Sequence, residues 1–205
     1  MDMCEKEHRK IDVLRRNSGI KRAIDITQLY LANKKMVMIP NLSKFRMLRY
    51  LWLNNNMITK ISTLSTSCCL TELYLQNNKI TSISGTLSHL SCLQVLLLHN
   101  NQLESLEESV AELRRAQQLH TLSFFLNPFT ENPQYRNYVA HHLPSVLILD
   151  RREVKREEKI SAFQMFSPGR NRVQHSVAFG RRAEFVPIAG NRDRSSEVQS
   201  SDSSW

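Results

Sequence analysis

The stretch Leu48-Arg-Tyr-Leu51-Trp-Leu53-Asn-Asn-Asn56 decides the fold, because it returns 22 residues later as Leu70-Thr-Glu-Leu73-Tyr-Leu75-Gln-Asn-Asn78. Further copies begin at Leu93 and Leu119, and a weaker first copy begins at Ile26, so successive copies are 22, 22, 23 and 26 residues apart. A period of this length is typical of solenoid proteins, in which each copy forms one coil and the coils bury a core only by stacking.

The spacing within each copy predicts a short strand followed by a bend. Two leucines separated by one residue point to the same face of a strand, so the strands of successive coils are expected to pair in parallel. An asparagine at the bend can bond backbone groups of its own coil and of its neighbour. We therefore expect a structural asparagine ladder at Asn56, Asn78, Asn101 and Asn127. Lys34 takes this position in the first coil, where its side chain cannot accept hydrogen bonds.

The segments on either side of the coils predict caps and a tail. The expected organisation is a helical N-terminal cap at 1–23, five coils at 24–126, a C-terminal cap with a helix at 127–166, and a tail at 167–205. Within the second cap, Val146 to Leu149 predict one more strand. Asp150 with Glu153 predicts the start of the last helix, which should end near Phe166, before Pro168.

The coils resemble the short type of leucine-rich repeat, and the pairs Asn127-Pro128, Tyr135-Arg136, Leu143-Pro144 and Leu149-Asp150 resemble a C-terminal cap found in that family. The resemblance covers roughly residues 24–166. It points to the group that includes the U2 ribonucleoprotein A-prime protein, axonemal dynein light chain 1 and a leucine-rich regulatory subunit of protein phosphatase 1. Such membership implies an α/β leucine-rich-repeat solenoid with short parallel strands on its concave side, acting as a non-enzymatic adaptor.

Composition excludes several classes of protein. The longest apolar run, Val95-Leu96-Leu97-Leu98, is far shorter than the roughly 20 residues of a membrane span. Charged residues interrupt the first twenty positions, so no secretory signal is expected. Four cysteines in such a chain favour a reduced intracellular protein. The resemblance to the group implies the cytoplasm or cilium, with the nucleus as the alternative.

The net charge of +9 is concentrated at the two ends of the chain. Residues 1–23 carry +3, residues 24–150 carry +2 and residues 151–205 carry +4. A nearly neutral solenoid between basic ends favours charged attachment through the ends, to an acidic surface such as tubulin or RNA, and the alternative is that these charges only face solvent.

Residues that flank the inward leucines should face the concavity, and they form the predicted partner-binding face. One column of this face reads Tyr30, Trp52, Tyr74 and Leu97, a stripe roughly 15 Å long at the strand spacing of a sheet. The full set of predicted contact residues is Tyr30, Tyr50, Trp52, Glu72, Tyr74, Val95, Leu97 and His99. Sixteen positions of the first four coils, Ala32 among them, should face the concavity, and none is Lys or Arg. The face therefore predicts a protein partner rather than nucleic acid.

No pattern in the chain predicts catalysis, a metal site, a cofactor or a small-molecule ligand. The sequence has no Cys-x-x-Cys, no His-Glu-x-x-His and no nucleophile elbow. Cys69 and Cys92 occupy the same position in successive coils, just before a core leucine. We interpret them as buried thiols that pack as small apolar groups, with a redox pair as the alternative.

The tail lacks an apolar period and is expected to be disordered or ordered by a partner. It contains a proline-directed kinase pattern at Ser167-Pro168 and a degenerate phosphatase-docking pattern at His175-Ser-Val-Ala-Phe179. The concave face predicts a protein-binding adaptor or scaffold, and the resemblance to the group implies a ciliary, axonemal or cytoskeletal assembly. The alternatives are a regulatory subunit of a protein phosphatase and a ribonucleoprotein component that acts through a protein partner.

Overall fold

Seven short strands form one sheet that runs the length of the coils. The computed structural model describes residues 22–61, 64 and 67–167. Strand order in the sheet follows chain order. The strands are β1 Gln28–Tyr30, β2 Tyr50–Trp52, β3 Glu72–Tyr74, β4 Val95–Leu97, β5 Thr121–Ser123, β6 Ile148–Leu149 and β7 Arg152–Glu153.

The leucine spacing explains the strand pairing. The central leucines of β1 to β5 pair in register, as Leu51 does with Leu73 and Leu73 with Leu96, and the first six strands are parallel. Each central leucine is buried while its two neighbours in β2, β3 and β4 are partly exposed. The predicted leucine-rich-repeat solenoid with short parallel strands is confirmed.

Short helical segments precede the first strand and connect the later ones. A 3₁₀ turn at Ala23–Asp25 precedes β1, and another at Pro128–Glu131 follows β5. The α-helices among the described residues are α1 Leu106–Leu113, α2 Tyr135–His142 and α3 Arg156–Phe166. The Ser105 hydroxyl caps α1 by accepting a hydrogen bond from the backbone N–H of Glu108 at 3.3 Å. Among the described helices, none has the length and apolar run that a bilayer crossing requires.

The core is a continuous row of aliphatic side chains between the sheet and the turns behind it. Leu51, Leu53, Leu73, Leu75 and Leu96 are completely buried. Because every coil contributes leucines or isoleucines at equivalent positions, the row extends from Ile26 to the cap residue Val154. Ala32 belongs to the buried set with 2% exposure, so the expectation that it faces the concavity is wrong.

The C-terminal cap differs from the prediction at one point. Asp150 and Glu153 do not begin a helix; residues 150–151 form a turn, and β7 folds back antiparallel onto β6. Asp150 and Arg151 both adopt positive φ, 54° and 64°, which a helix start does not allow. The last helix begins at Arg156, where the Glu158 carboxylate accepts a hydrogen bond from the backbone N–H of Lys155 at 3.0 Å, and it ends at Phe166 as expected.

Arg136 of α2 ties this cap together. Its guanidinium pairs with Glu158 of α3 at 2.8 Å and donates hydrogen bonds to the carbonyls of Leu149 and Glu153, each at 3.0 Å. The hydrogen bond from Arg136 is the main cause that lowers the pKa of Glu158 to about 2. Most of the proposed N-terminal cap at 1–23 and nearly all of the tail at 167–205 lie outside the described residues.

Candidate protein-binding face

The sheet presents two columns of side chains on the side that points away from the core, called the concave face below. Strand pairing places Gln28, Tyr50, Glu72, Val95, Thr121 and Ile148 in the first column and Tyr30, Trp52, Tyr74, Leu97 and Ser123 in the second. Seven of the eight predicted contact residues lie in these columns. The eighth, His99, follows β4 by two residues. Whether this surface binds a partner stays a prediction.

Four aromatic rings form a stack at the N-terminal end of the concave face. The ring centroids of Trp52 and Tyr74 are 5.4 Å apart, with the ring planes within 6° of parallel. The Tyr50 ring stacks on the Trp52 ring with centroids 6.2 Å apart. The Tyr30 ring, on the neighbouring strand, also lies 6.2 Å from the Trp52 centroid, with the ring planes tilted by 44°. Tyr30 is 57% exposed, whereas Trp52 is half-buried by its neighbours. The stack is therefore a preformed apolar surface with Trp52 at its centre.

Glu72 and Tyr74 form a polar contact at the border of the stack. The Tyr74 hydroxyl donates a short hydrogen bond to the Glu72 carboxylate. Burial raises the pKa of Tyr74 to about 12, and the hydrogen bond and charge of Glu72 add to the effect. At neutral pH the phenol is therefore a neutral donor, and the carboxylate already has an internal partner.

A second cluster of rings lies at the C-terminal end of the concave face. His99 stacks on Phe125 with centroids 4.3 Å apart, and the Arg151 guanidinium lies 4.8 Å from the Phe125 centroid. The Nδ1 atom of His99 is 2.7 Å from the Ser123 hydroxyl oxygen. Burial, with a contribution from the Arg151 charge, lowers the pKa of His99. The imidazole is thus held neutral, as a flat polar group beside Phe125.

Asp150 positions this second cluster. Its carboxylate accepts hydrogen bonds from the backbone N–H groups of Phe124 and Phe125, at 2.7 and 3.0 Å, and a short one from the Tyr135 hydroxyl. Burial raises the pKa of Asp150, and the two backbone donors oppose that shift. The residue predicted to cap a helix instead joins the cap to the fifth coil and directs Arg151 over Phe125.

Buried amides hold the coils at a fixed spacing behind the concave face. The Asn78 side chain accepts from the N–H of Ile58 at 3.0 Å and donates to the carbonyls of Leu53 and Leu75, each at 3.0 Å. Each amide therefore joins its own coil to the preceding one. The same pattern recurs at Asn56, Asn101 and Asn127.

A second, exposed row of asparagines forms the edge of the concave face. Asn77 donates to the Asn55 side-chain oxygen at 2.6 Å, and Asn100 donates to the Asn77 oxygen at 2.9 Å. All three have positive φ, between 54° and 59°. Leu126 takes the equivalent place in the fifth coil, with φ 57° and 65% exposure. The polar edge thus ends in an exposed leucine beside Phe125.

Sequence reasoning missed the C-terminal half of this surface. Phe125 stands where the fourth coil has His99, and Ile148, 41% exposed, continues the column of Val95. Alignment of the fifth coil with the fourth could have revealed Phe125. Arg151 could not be placed in this way, because its position depends on the turn between β6 and β7.

Metal-binding side chains and the cysteines are the remaining candidates for chemistry. Over the described residues, no three His, Cys, Asp or Glu side chains converge as a metal site. Cys92 is exposed and Cys69 is half-exposed, so the interpretation of these thiols as buried apolar groups is wrong. They precede the core leucines but point away from the core.

The comparisons with known proteins agree with this architecture. A family model described as leucine-rich repeat matches residues 9–178. The U2 small nuclear ribonucleoprotein A' proteins of Homo sapiens and Mus musculus are each 37% identical over 79 residues, which is 38% of this chain and 31% of theirs. The matched stretch thus spans about a third of the length of these curated relatives.

Solved structures extend the likeness over more of the chain. A chain in the crystal structure of the Drosophila melanogaster SNF/U2A' complex is similar with a TM-score of 0.62 and 27% identity, covering 72% of this chain and 87% of that one. Internalin C2 of Listeria monocytogenes, at 22% identity and a TM-score of 0.51, covers 60% of this chain and 50% of its own and shares the fold alone. With the family model matching residues 9–178 of 205, the chain belongs to the leucine-rich repeat family and resembles its U2A'-type group.

Proposed function

We propose that this chain is a non-enzymatic protein-binding adaptor that holds a partner on its concave face. The single observation that carries the proposal is the stack of Tyr30, Tyr50, Trp52 and Tyr74. Large aromatics bury 150–250 Å² each when covered, and such a group exposed on a sheet is typical of a protein interface.

The surroundings of the stack favour a protein over a single-stranded nucleic acid. The Trp52 ring is already stacked on two tyrosine rings, which leaves less ring face for bases. The only cation contact described on the face is Arg151 over Phe125, far fewer than a phosphate backbone needs. The apolar residues Leu126 and Ile148 extend the surface beyond the stack, so a partner of several turns or strands would cover both clusters.

The experiment measures capture of a partner by the full chain. A photo-crosslinking amino acid at position 74 identifies the bound chain by mass spectrometry, and the same group at Ile160, exposed on α3, is the control. The identified partner is then titrated against Trp52→Ala and Ile160→Ala. Truncation of a central aromatic costs about 2–4 kcal/mol, so Trp52→Ala should weaken binding about thirty-fold or more. Equal affinity of Trp52→Ala and the parent chain would contradict the proposal.

A matched core variant separates loss of binding from loss of folding. Leu53→Ala removes a completely buried side chain next to Trp52 and should lower the free energy of unfolding by about 2–5 kcal/mol. Trp52→Ala should leave the free energy of unfolding much closer to that of the parent. The binding titration is therefore carried out at a temperature where both variants are folded.

The cellular assembly has two candidates. A ciliary, axonemal or cytoskeletal setting, with microtubule association, is supported by the resemblance of the coils and cap. A nuclear ribonucleoprotein role through a protein partner is supported by the similarity to the chain in the SNF/U2A' complex. RNase treatment and rising salt should release RNA-dependent partners and leave an apolar concave interface intact.

A further inference from the structure

Three thiols lie together on one side of the sheet, in the turns that precede β3 and β4. Cys68 and Cys92 are exposed and Cys69 is half-exposed, and all three are free. The sulfur atoms of Cys68 and Cys69 are 4.0 Å apart. They lie outside the concave face and have no part in the proposed binding site.

The register of the sheet brings Cys69 beside Cys92. Glu72 pairs with Val95 in the sheet. Cys69 lies three residues before Glu72, and Cys92 lies three residues before Val95. The turns around the two cysteines are equivalent: Leu70 N–H donates to Ser67 at 3.1 Å, and Leu93 N–H donates to Leu90 at 3.2 Å. Neighbouring strands lie about 4.8 Å apart, within the 4.4–6.8 Å between Cα atoms that disulfides span.

The electrostatics of the thiols agree with this proximity. A hydrogen bond and a charge interaction with Cys68 raise the pKa of Cys69, and Cys92 adds to the effect. Cys69 therefore forms its thiolate less readily than an ordinary cysteine. The exposed Cys92 is the more accessible thiol and is the first to react.

We propose that Cys69 and Cys92 form a reversible disulfide between the third and fourth coils when the chain meets glutathione disulfide. The Cys92 thiolate attacks one sulfur of glutathione disulfide and releases one glutathione thiolate. The Cys69 thiolate then attacks the Cys92 sulfur of the mixed disulfide and releases the second. The two cysteine protons pass to the two glutathione thiolates, so one protein disulfide forms and one glutathione disulfide is reduced.

A disulfide between the adjacent Cys68 and Cys69 is disfavoured by covalent geometry. Adjacent residues have Cα atoms about 3.8 Å apart, which is shorter than the separation that an unstrained disulfide requires. Cys68 is therefore a neighbouring free thiol, which can undergo thiol–disulfide exchange with the Cys69–Cys92 disulfide.

The test follows the disulfide by mass spectrometry in the full chain carrying Cys4→Ser. The chain is equilibrated in glutathione buffers, free thiols are blocked in acid, and trypsin cleaves after Lys60, Lys79 and Arg114. The expected product is peptide 61–79 linked to peptide 80–114. Cys68→Ser should retain this product, whereas Cys69→Ser and Cys92→Ser should lose it. Glutathione adducts without the linked product, or an undiminished link in Cys69→Ser, would overturn the proposal.

A second measurement shows whether the fold positions the pair. The ratio of glutathione disulfide to glutathione at which half of the chains carry the link should be at least about tenfold lower in buffer than in concentrated urea. The reason is that folding holds the two turns in register. Equal requirements in both solvents would mean that the fold does not position the pair, and this result would also overturn the proposal.

Discussion

Asn77 and Asn78 of the third coil are neighbours in sequence but contribute to the fold in different ways. Asn78 is buried and bonds backbone groups of two coils, whereas Asn77 is exposed and adopts φ 59°. From the sequence alone, Asn77→Leu is expected to cost much less than Asn78→Leu. The structure changes that expectation, because a branched apolar residue with positive φ costs about 1–2 kcal/mol.

The first prediction ranks three substitutions at these sites. Asn78→Leu should cost the most, because it leaves the Ile58 N–H and two buried carbonyls without partners at about 1–3 kcal/mol each. Asn77→Leu should cost less, and Asn77→Gly, which tolerates positive φ, should cost least. Urea denaturation of the three variants measures the order, and a smaller loss for Asn78→Leu than for Asn77→Gly would refute the register.

The second prediction concerns Leu126, which holds positive φ without the tolerance of asparagine. Leu126→Asn should raise the free energy of unfolding by about 0.5–1 kcal/mol, because asparagine adopts this conformation more readily. It should also weaken partner capture if the leucine is part of the interface. Leu147→Asn, also at an exposed leucine but without positive φ, is the control and should give no gain in stability.

At the scale of elements, the Glu112 carboxylate joins α1 to the preceding coil. Glu112 accepts hydrogen bonds from the backbone N–H groups of Gly85, Leu87 and Ser88, at 2.8, 2.6 and 2.7 Å. Burial works to raise the pKa of Glu112, but the backbone donors outweigh it and the net shift is downward. The fourth coil, which has a helix where earlier coils have turns, is held in this way to the turn of the third.

The third prediction follows from that shift. Glu112→Gln should cost about 1.5–3 kcal/mol at pH 7, the range for hydrogen bonds to a charged group. Because the pKa of Glu112 in the folded chain lies below that of an ordinary glutamate, the stabilisation is present above the ordinary pKa and is lost as pH falls through the folded pKa. Urea denaturation from pH 7 to pH 3 should therefore show the parent and variant converging. Glu108→Gln, whose carboxylate contacts only the Ser84 hydroxyl at 3.1 Å, is the matched control and should change stability little.

At the scale of the whole molecule, local periodicity explains why the coils could be predicted and the cap only in part. Leucines such as Leu51 and Leu73 recur at a spacing that determines both strand and register, so β1 to β5 follow from the sequence. Asp150 shows the limit, since its side chain bonds Phe124, 26 residues away in sequence. Asp150 adopts positive φ although it is not a glycine, so the sequence does not indicate a turn there. The segment was therefore predicted to begin a helix.

The concave face also has one part that could be predicted from the sequence and one part that could not. Tyr30, Trp52 and Tyr74 are regular members of the repeat, and their column could be derived from strand alternation. The contact of Arg151 with Phe125 depends on the turn between β6 and β7, which no period describes. The exposure of Cys69 and Cys92 could not be predicted either, because a cysteine that precedes a core leucine is compatible with a buried turn and with an exposed one.

The short hairpin of β6 and β7 has a consequence for self-assembly. A parallel sheet of stacked coils could in principle grow end to end, with one molecule's last strand accepting the first strand of the next and building a filament. Here the last strand runs antiparallel to the others and consists of only Arg152 and Glu153, both exposed and of opposite charge. Within the part of the chain that the structure describes, a second copy that offers β1 would therefore meet a short, charged strand of the wrong direction, which disfavours head-to-tail pairing of the two sheets.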